Sequence, residues 1–267
     1  MKTHVSEFTD IPELDEAARL QIQQAISTEI EQRPPTIGLI GVSGVGKSFT
    51  INTMFKTDLP TSDVVACTKE FRTNELAVNV TSGELAGQEV QLHVIDAPGL
   101  GEDVQLDPKY LAMYRQELPL CDVILWILTA RNRAVALDQM YLQQLAEFSD
   151  KMVFGINQVD LVEPLNWNHK LNAPSEEQMA NIEIIRRDRK EKIESVLGRS
   201  IEVFPYSAKQ KFDLQQLFTG IIEACPEERA WIFSTIKNFS HLDFLPDDIR
   251  EVVLEKIAAK QRAQARK

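Results

Sequence analysis

The chain has 267 residues, of which 43% are hydrophobic and 26% charged, with a formal net charge of -11. That length suits one large domain or one domain with appendages, and the composition is that of a folded chain and not of a disordered one. The longest apolar stretch, around Val123 to Leu128, is far short of the roughly 20 residues a membrane span needs, and the acidic balance argues against whole-surface attraction to DNA.

From the start, Met1-Lys2-Thr3-His4 leads into polar residues and not into the apolar core of a secretory signal, so the cytoplasm is the expected compartment. Ile11 to Gln32 carries apolar residues at Leu14, Ala17, Ala18, Ile22, Ala25, Ile26 and Ile30, the spacing of a helix with one buried stripe. Pro34-Pro35 ends it. Thr36 to Ile40 reads as a short buried strand that enters a glycine-rich loop, and Ser48 to Phe55 as the helix after it. Glu75 to Thr81 and Glu89 to Ile95 read as strands joined into a hairpin through residues 82–88. Further strands are expected at Asp122 to Leu128, Lys151 to Ile156 and Ile201 to Phe204, with helices at Asp138 to Phe148 and Glu176 to Leu197. Beyond Ala208 the pattern is helical only, at Leu214 to Ala224, Glu227 to Phe239 and Asp247 to Lys267. This alternation predicts an α/β fold of three layers, a mostly parallel sheet with one antiparallel hairpin, flanked by N- and C-terminal helices. The expected division is an N-terminal helix over 1–34, a central domain over 35–225 and a helical appendage over 226–267.

Gly41-Val42-Ser43-Gly44-Val45-Gly46-Lys47-Ser48 fits G-x-x-x-x-G-K-[ST] between a predicted strand and a predicted helix, the context this pattern requires. Glycines there let backbone N–H groups turn onto phosphates at the positive end of the following helix. Lys47 is expected to reach the β and γ phosphates of a nucleotide, and the Ser48 hydroxyl to ligand Mg2+. Phe49 continues this cradle. Downstream, Asp96-Ala97-Pro98-Gly99 closes an apolar strand; Asp96 is positioned to bind Mg2+ through water and Gly99 to present its N–H to the γ-phosphate. Asn157-Gln158-Val159-Asp160 ends another strand. A carboxylate such as Asp160 accepts two hydrogen bonds from guanine N1–H and its 2-amino group, a pair that adenine does not offer. Tyr206-Ser207-Ala208-Lys209 follows the last strand, where the Ala208 N–H suits the guanine O6.

Four motifs in this order, each at a strand end, resemble the translation-factor class of GTPases, and more narrowly the bacterial Era and TrmE branch. The match covers about residues 36–224 and is most like small bacterial Era-like GTPases of unassigned role, many of them prophage-encoded; residues 130–138 add to it more weakly. The resemblance implies GTP and GDP as ligands, Mg2+ as cofactor, and slow hydrolysis that drives a molecular switch. It also implies a Mg2+-binding switch threonine between the glycine loop and the Asp box. Thr68, in Cys67-Thr68-Lys69 and 21 residues after Lys47, is the choice, with Thr61 as competitor. Lys47, Thr68 and Gly99 are thus the catalytic set, and Ser48, Thr68 and Asp96 the metal set.

Several positions depart from the family pattern. Gln158 replaces the usual Lys, which either weakens nucleotide affinity or changes little if Gln158 packs well. Leu100 stands where Ras-like GTPases place a water-orienting glutamine, leaving Glu102 and Asp103 as nearby acids that are otherwise solvated. Gly44 replaces the Asn of potassium-stimulated members, and Ser43 a glycine that admits an arginine finger. Arg131 and Arg133 read chiefly as a solvated loop, Cys67 as a small packed residue, and His93 as a structural histidine within its strand. The three cysteines lack the paired spacing of a disulfide framework or zinc site, and reduced thiols are expected.

Residues 161–175 form a long connection in which Trp167 either covers the base, meets a partner, or packs beneath its own loop. Lys256, Lys260, Arg262, Arg266 and Lys267 offer ribosomal RNA or an anionic membrane a basic surface, or else form a solvated terminus. The protein effector is not legible, and a nucleotide-dependent homodimer is compatible with the pattern. The competing functions are a nucleotide-dependent binding module with negligible hydrolysis, a self-assembling GTPase like the dynamin or interferon-inducible groups, and, last, an ATPase.

Overall fold

A computed structural model describes residues 16–59, 72–80, 87–96, 107–131, 136–235, 251–252 and 255–256. Helix α1 (Glu16–Gln32) leads to strand β1 (Thr36–Ile40), helix α2 (Lys47–Phe55), and strands β2 (Arg72–Asn79) and β3 (Glu89–Asp96). Helix α3 (Asp107–Glu117), β4 (Val123–Thr129), α4 (Ala136–Gln144), β5 (Met152–Asn157), α5 (Glu176–Leu197), β6 (Val203–Pro205), α6 (Leu214–Ala224) and α7 (Glu227–Thr235) follow.

The strands form one six-stranded sheet in the order β2-β3-β1-β4-β5-β6. All neighbours are parallel except β2 and β3, which pair antiparallel from Arg72↔Asp96 to Asn79↔Glu89. The expected hairpin in a mostly parallel sheet is therefore present. Buried on both faces, β1, β4 and β5 are runs of apolar residues without polar alternation, as parallel strands require.

Period-two alternation sorts these runs onto two cores. Ile37, Leu39, Val123, Leu125, Ile127 and Val153 face one layer, built on Ile30 of α1, Ile51 and Met54 of α2, Phe218 of α6, and Ile232 and Phe233 of α7. Ile40, Ile124, Trp126, Leu128, Phe154 and Ile156 face the other, built on Tyr114 of α3, Tyr141 and Leu142 of α4, and Ile182 and Ile193 of α5. Gly38 belongs to this second face because a Cβ there would meet the Cys121 sulfur at 2.8 Å.

Helix α5 shows how local sequence sets a boundary. Ser175 caps its first turn by accepting from the Gln178 N–H, Glu176 and Glu177 complement the positive end of the helix dipole, and Gly198 at φ 66° closes the last turn.

Three differences from the sequence expectation have physical causes. Helix α3 lies in a stretch where no element was anticipated; its signals are Pro108 in the first turn and Tyr110 and Tyr114, four apart and both buried. The helix expected over Asp138 to Phe148 starts at Ala136 and gives way to a 3-10 turn over Ala146–Lys151, which carries the chain into β5. Strand β6 is only three residues long and ends at Pro205, whose missing N–H confines it to a sheet edge.

At the end of the sheet where β1 and β4 begin, Asp122 is 1% exposed and accepts from the Thr36 N–H at 2.9 Å and from Arg229 Nε of α7 at 3.0 Å. Arg229, itself 2% exposed, also donates Nη2 to the Arg33 carbonyl at 2.7 Å and approaches Glu29 of α1 at 3.4 Å. This ion pair holds α1 and α7 together against the sheet. No helix among the described residues is long and apolar enough to cross a membrane.

Candidate functional site

The opposite end of the sheet, outside the C-terminal ends of β1, β3, β4 and β5, gathers the motif residues. In parallel sheets this is where ligands bind. β1 ends at Ile40 and the loop Gly41 to Gly46 turns into α2 through Gly44 at φ 77° and Gly46 at φ 89°. A Cβ on Gly41 would stand 2.4 Å from the Ile127 carbonyl oxygen of β4, and one on Gly46 would stand 2.6 Å from Asn157 Nδ2. Both glycines are therefore required by close approach as well as by backbone angle. Val45 is buried and anchors the loop in the core, while Ser43 and Gly44 are exposed at its rim. Lys47 opens α2 and bends back, its ammonium donating to the carbonyls of Gly41 at 3.0 Å and Val42 at 3.4 Å. Phe49, in the same first turn, is 43% exposed.

Ser48 Oγ stands 3.4 Å from Asp96 Oδ2 at the end of β3. A hydroxyl and a largely buried carboxylate converging beside the glycine loop are hard oxygen donors of the kind Mg2+ takes. Thr68, Thr61, Gly99, Leu100, Glu102, Asp103, Cys67 and Arg133 lie outside the described residues.

The third motif closes onto the first. Asn157, at the end of β5 and 3% exposed, donates Nδ2 to the Val45 carbonyl at 2.9 Å and accepts the Ala208 N–H on Oδ1 at 3.1 Å. One amide thus joins the glycine loop, β5 and the turn after β6. Gln158, at φ 65°, accepts from Thr129 Oγ1 at 2.8 Å and donates Nε2 to the Gly44 carbonyl at 3.1 Å. A neutral amide, oriented by Thr129, thus ties the loop rim to β4.

Asp160 sits in the short 3-10 turn Val159–Leu161 and is 8% exposed. Ser207 Oγ–H donates to its Oδ1 at 2.6 Å. Ser207 and Ala208 are buried and Lys209 is exposed. Tyr206, fully buried, reaches across to α2, its hydroxyl 2.9 Å from Thr50 Oγ1. Burial raises the Tyr206 phenol above its ordinary value, offset in part by that hydrogen bond, so it stays protonated. Gly155 makes room for the ring, since a Cβ there would come within 2.8 Å of it. Thr50, Thr129 and Gly155 are support residues that motif reasoning missed. Their signal is chemical complementarity across strands, which a linear pattern does not carry.

Trp167 packs beneath its own loop, edge-on to Phe212 at 5.2 Å, with Nε1 donating to Asn172 Oδ1 at 3.3 Å. Arg131 is exposed, as a solvated loop residue would be. His93 sits partly buried within β3, opposite Glu75 of β2. Of the basic tail, Lys256 is exposed, and Lys260, Arg262, Arg266 and Lys267 lie outside the described residues. Cys121 and Cys225 are buried and carry no disulfide.

Residues 36–158 match the family described as 50S ribosome-binding GTPase, from β1 to the first two residues of the Asn157 box. Over this span, a little under half of its length, the chain is similar to that GTPase family. It is 33% identical over 184 residues to the uncharacterized protein YkfA of Escherichia coli (strain K12), a match over 67% of this chain and 59% of YkfA. Similarity to YfjP of the same organism is 36% over 169 residues, 61% of this chain and 55% of YfjP. The chain therefore spans somewhat over half the length of these relatives. Among solved structures, a single-residue variant of Aquifex aeolicus Era bound to GDP and aluminium fluoride superposes with a TM-score of 0.51 at 22% identity, over 72% of this chain and 57% of Era. That likeness concerns the fold of the GTPase domain.

Proposed function

We propose that the protein is a guanine-nucleotide switch that binds GTP and hydrolyses it slowly to GDP and phosphate with Mg2+. The observation that carries this reading is the pairing of two sites by Asn157, whose amide contacts both the glycine loop at Val45 and the base turn at Ala208. A phosphate cradle and a base-reading carboxylate, Asp160, thereby share one hydrogen-bonded frame.

Each residue has a task in this reading. The N–H groups of residues 43–48 surround the phosphates at the start of α2. Lys47 exchanges its bonds to the Gly41 and Val42 carbonyls for phosphate oxygens as the nucleotide enters. Asp160 accepts N1–H and the 2-amino group, Ala208 lies beside O6, and Phe49, Gln158 and Lys209 border the nucleotide. Ser48 and Asp96 would hold Mg2+, with Thr68 as the switch ligand that the family resemblance assigns. When bound, the ion neutralises charge at the β- and γ-phosphate oxygens. Gly99 presents its N–H to the γ-phosphate, and its release on hydrolysis is the switching event.

Turnover of purified protein with GTP and Mg2+ tests the proposal against Lys47→Ala and against chelator. Unassisted rates of about 10⁻⁴ to 10⁻² s⁻¹ are expected, lost in both controls. Guanine-selective binding with no turnover above Lys47→Ala would leave a nucleotide-dependent binding module, and tighter ATP than GTP binding would overturn the guanine assignment itself.

A further inference from the structure

Gln178 is fully buried in the first turn of α5, three residues after the cap Ser175. Ser-x-x-Gln is the capping-box pattern, in which the glutamine oxygen turns back to the backbone N–H of the cap residue. Half of that box is present, since Ser175 Oγ accepts the Gln178 N–H at 3.2 Å. The other half is not: Gln178 Oε1 is buried without a hydrogen-bond partner among the described residues. Its Nε2 instead donates to the carbonyls of Val162 at 2.8 Å and Asp160 at 3.3 Å.

A buried amide that forgoes its local cap leaves a polar oxygen unsatisfied, which costs free energy. What the arrangement secures is the backbone of the 3-10 turn carrying Asp160. The side chain of Asp160 is fixed from the other side by Ser207 at 2.6 Å. Between Gln178 behind and Ser207 beside it, the carboxylate is held at both its main chain and one oxygen. Asn181, one turn along α5, donates to the Glu163 carbonyl at 2.7 Å and continues the same clamp.

We infer that Gln178 is a positioning residue for base specificity: through its two bonds to the Asp160 and Val162 carbonyls, it holds the Asp160 carboxylate where guanine's two donors can both reach it. This rests on the proposed guanine-binding function. Without that hold the turn relaxes, and the carboxylate loses the geometry needed to accept two hydrogen bonds at once, though it still accepts one.

Inosine diphosphate, which has the guanine frame without the 2-amino group, separates the two situations. Equilibrium binding of GDP, inosine diphosphate and ADP is measured for the wild type, Gln178→Met, Gln178→Glu and Ser175→Ala. The wild type should favour GDP over inosine diphosphate by about ten-fold or more, one hydrogen bond to a charged group. In Gln178→Met, which keeps side-chain length but not the donor, that ratio should fall to within about three-fold. Gln178→Glu, which places an acceptor against the two carbonyls, should do the same, and either variant suffices if the other folds poorly. Ser175→Ala removes the cap bond to the Gln178 N–H and leaves the two Gln178 side-chain bonds in place; it should lower the melting temperature and keep the ratio. A wild-type ratio retained in Gln178→Met, or lost equally in Ser175→Ala, overturns the inference while the guanine reading stands. No preference of the wild type for GDP over ADP overturns the guanine reading and the inference with it.

Discussion

The Asn157 amide donates to the Val45 carbonyl at 2.9 Å, although the two residues are 112 positions apart, and this contact is buried. Its carbonyl oxygen is used at the same time by Ala208. Asn157→Ala removes both bonds and strands a buried acceptor on the loop and a buried donor on the turn. Each such loss costs about 1 to 3 kcal/mol. GDP affinity should fall at least about thirty-fold, read by fluorescence titration; a change under three-fold would show that the loop and the turn hold their places independently.

Gln158 makes a smaller prediction. Replacing it with Leu removes its bonds to Thr129 and Gly44, and neutral hydrogen bonds are each worth about 0.5 to 1.5 kcal/mol net. Nucleotide affinity should weaken about five-fold. Thr129→Val should weaken it in the same direction and by less, because Gln158 keeps its bond to Gly44. Equal affinities in all three proteins would assign Gln158 no part in holding the loop rim.

Gly46→Ala tests the close approach at the loop. At φ 89° and with Asn157 Nδ2 only 2.6 Å from the added carbon, the loop and the amide must move apart. Nucleotide binding should be lost while far-ultraviolet circular dichroism stays that of the wild type, since the strain falls on one loop and not on the sheet.

The pair Arg229 and Asp122 is nearly solvent-free on both sides. Removing Arg229 leaves the buried Asp122 with the half-exposed Arg33 as its remaining counter-charge, so Arg229→Ala should cost up to about 3 to 5 kcal/mol in denaturant unfolding. Arg229→Lys keeps the charge but not the planar fork that meets Asp122, Arg33 and Glu29 together, and should recover only part of that loss. Full recovery would show that charge alone matters there.

Alkaline pH should weaken the fold through its buried thiols. Burial pushes Cys121 and Cys225 from an ordinary 9.0 up to about 12, and Tyr206 shifts upward for the same reason. Groups with a raised folded pKa keep their protons in the native state while the unfolded chain releases them, so stability is fully present below about pH 9 and is lost as pH rises towards 12. Unfolding free energy measured between pH 8 and pH 11 should fall with pH, with a shallower slope in Cys121→Ala/Cys225→Ala. Parallel slopes would refute the assignment.

Much of this was legible in the sequence because the decisive residues act through local chemistry. The loop from Gly41 to Ser48 needs glycines wherever a backbone approaches another atom closely, and such a constraint is visible in one dimension. Strands β1, β4 and β5 declared themselves as apolar runs, and α5 as a helical pattern from Glu176 to Leu197. Hidden were features that depend on partners far along the chain. Gln178 and Arg229 lie within expected helices, and nothing in one dimension places the amide of the first on the Asp160 turn or the guanidinium of the second against Asp122. Helix α3 was missed for another reason: its apolar positions are few, and two tyrosines carry its burial.

Arg229 also bears on the order in which the molecule is made. Its bonds to Arg33 and Glu29 close over 196 and 200 residues, and that to Asp122 over 107. During synthesis at about 5 to 20 residues per second, every strand has been translated before this arginine exists. Of the folded-state partners of Asp122, Thr36 and Arg33 precede it in the chain, whereas the Arg229 guanidinium is made last. A nascent chain therefore carries its nucleotide motifs complete before the counter-ion for the far end of its sheet is made, and α7 is the latch that closes over that end.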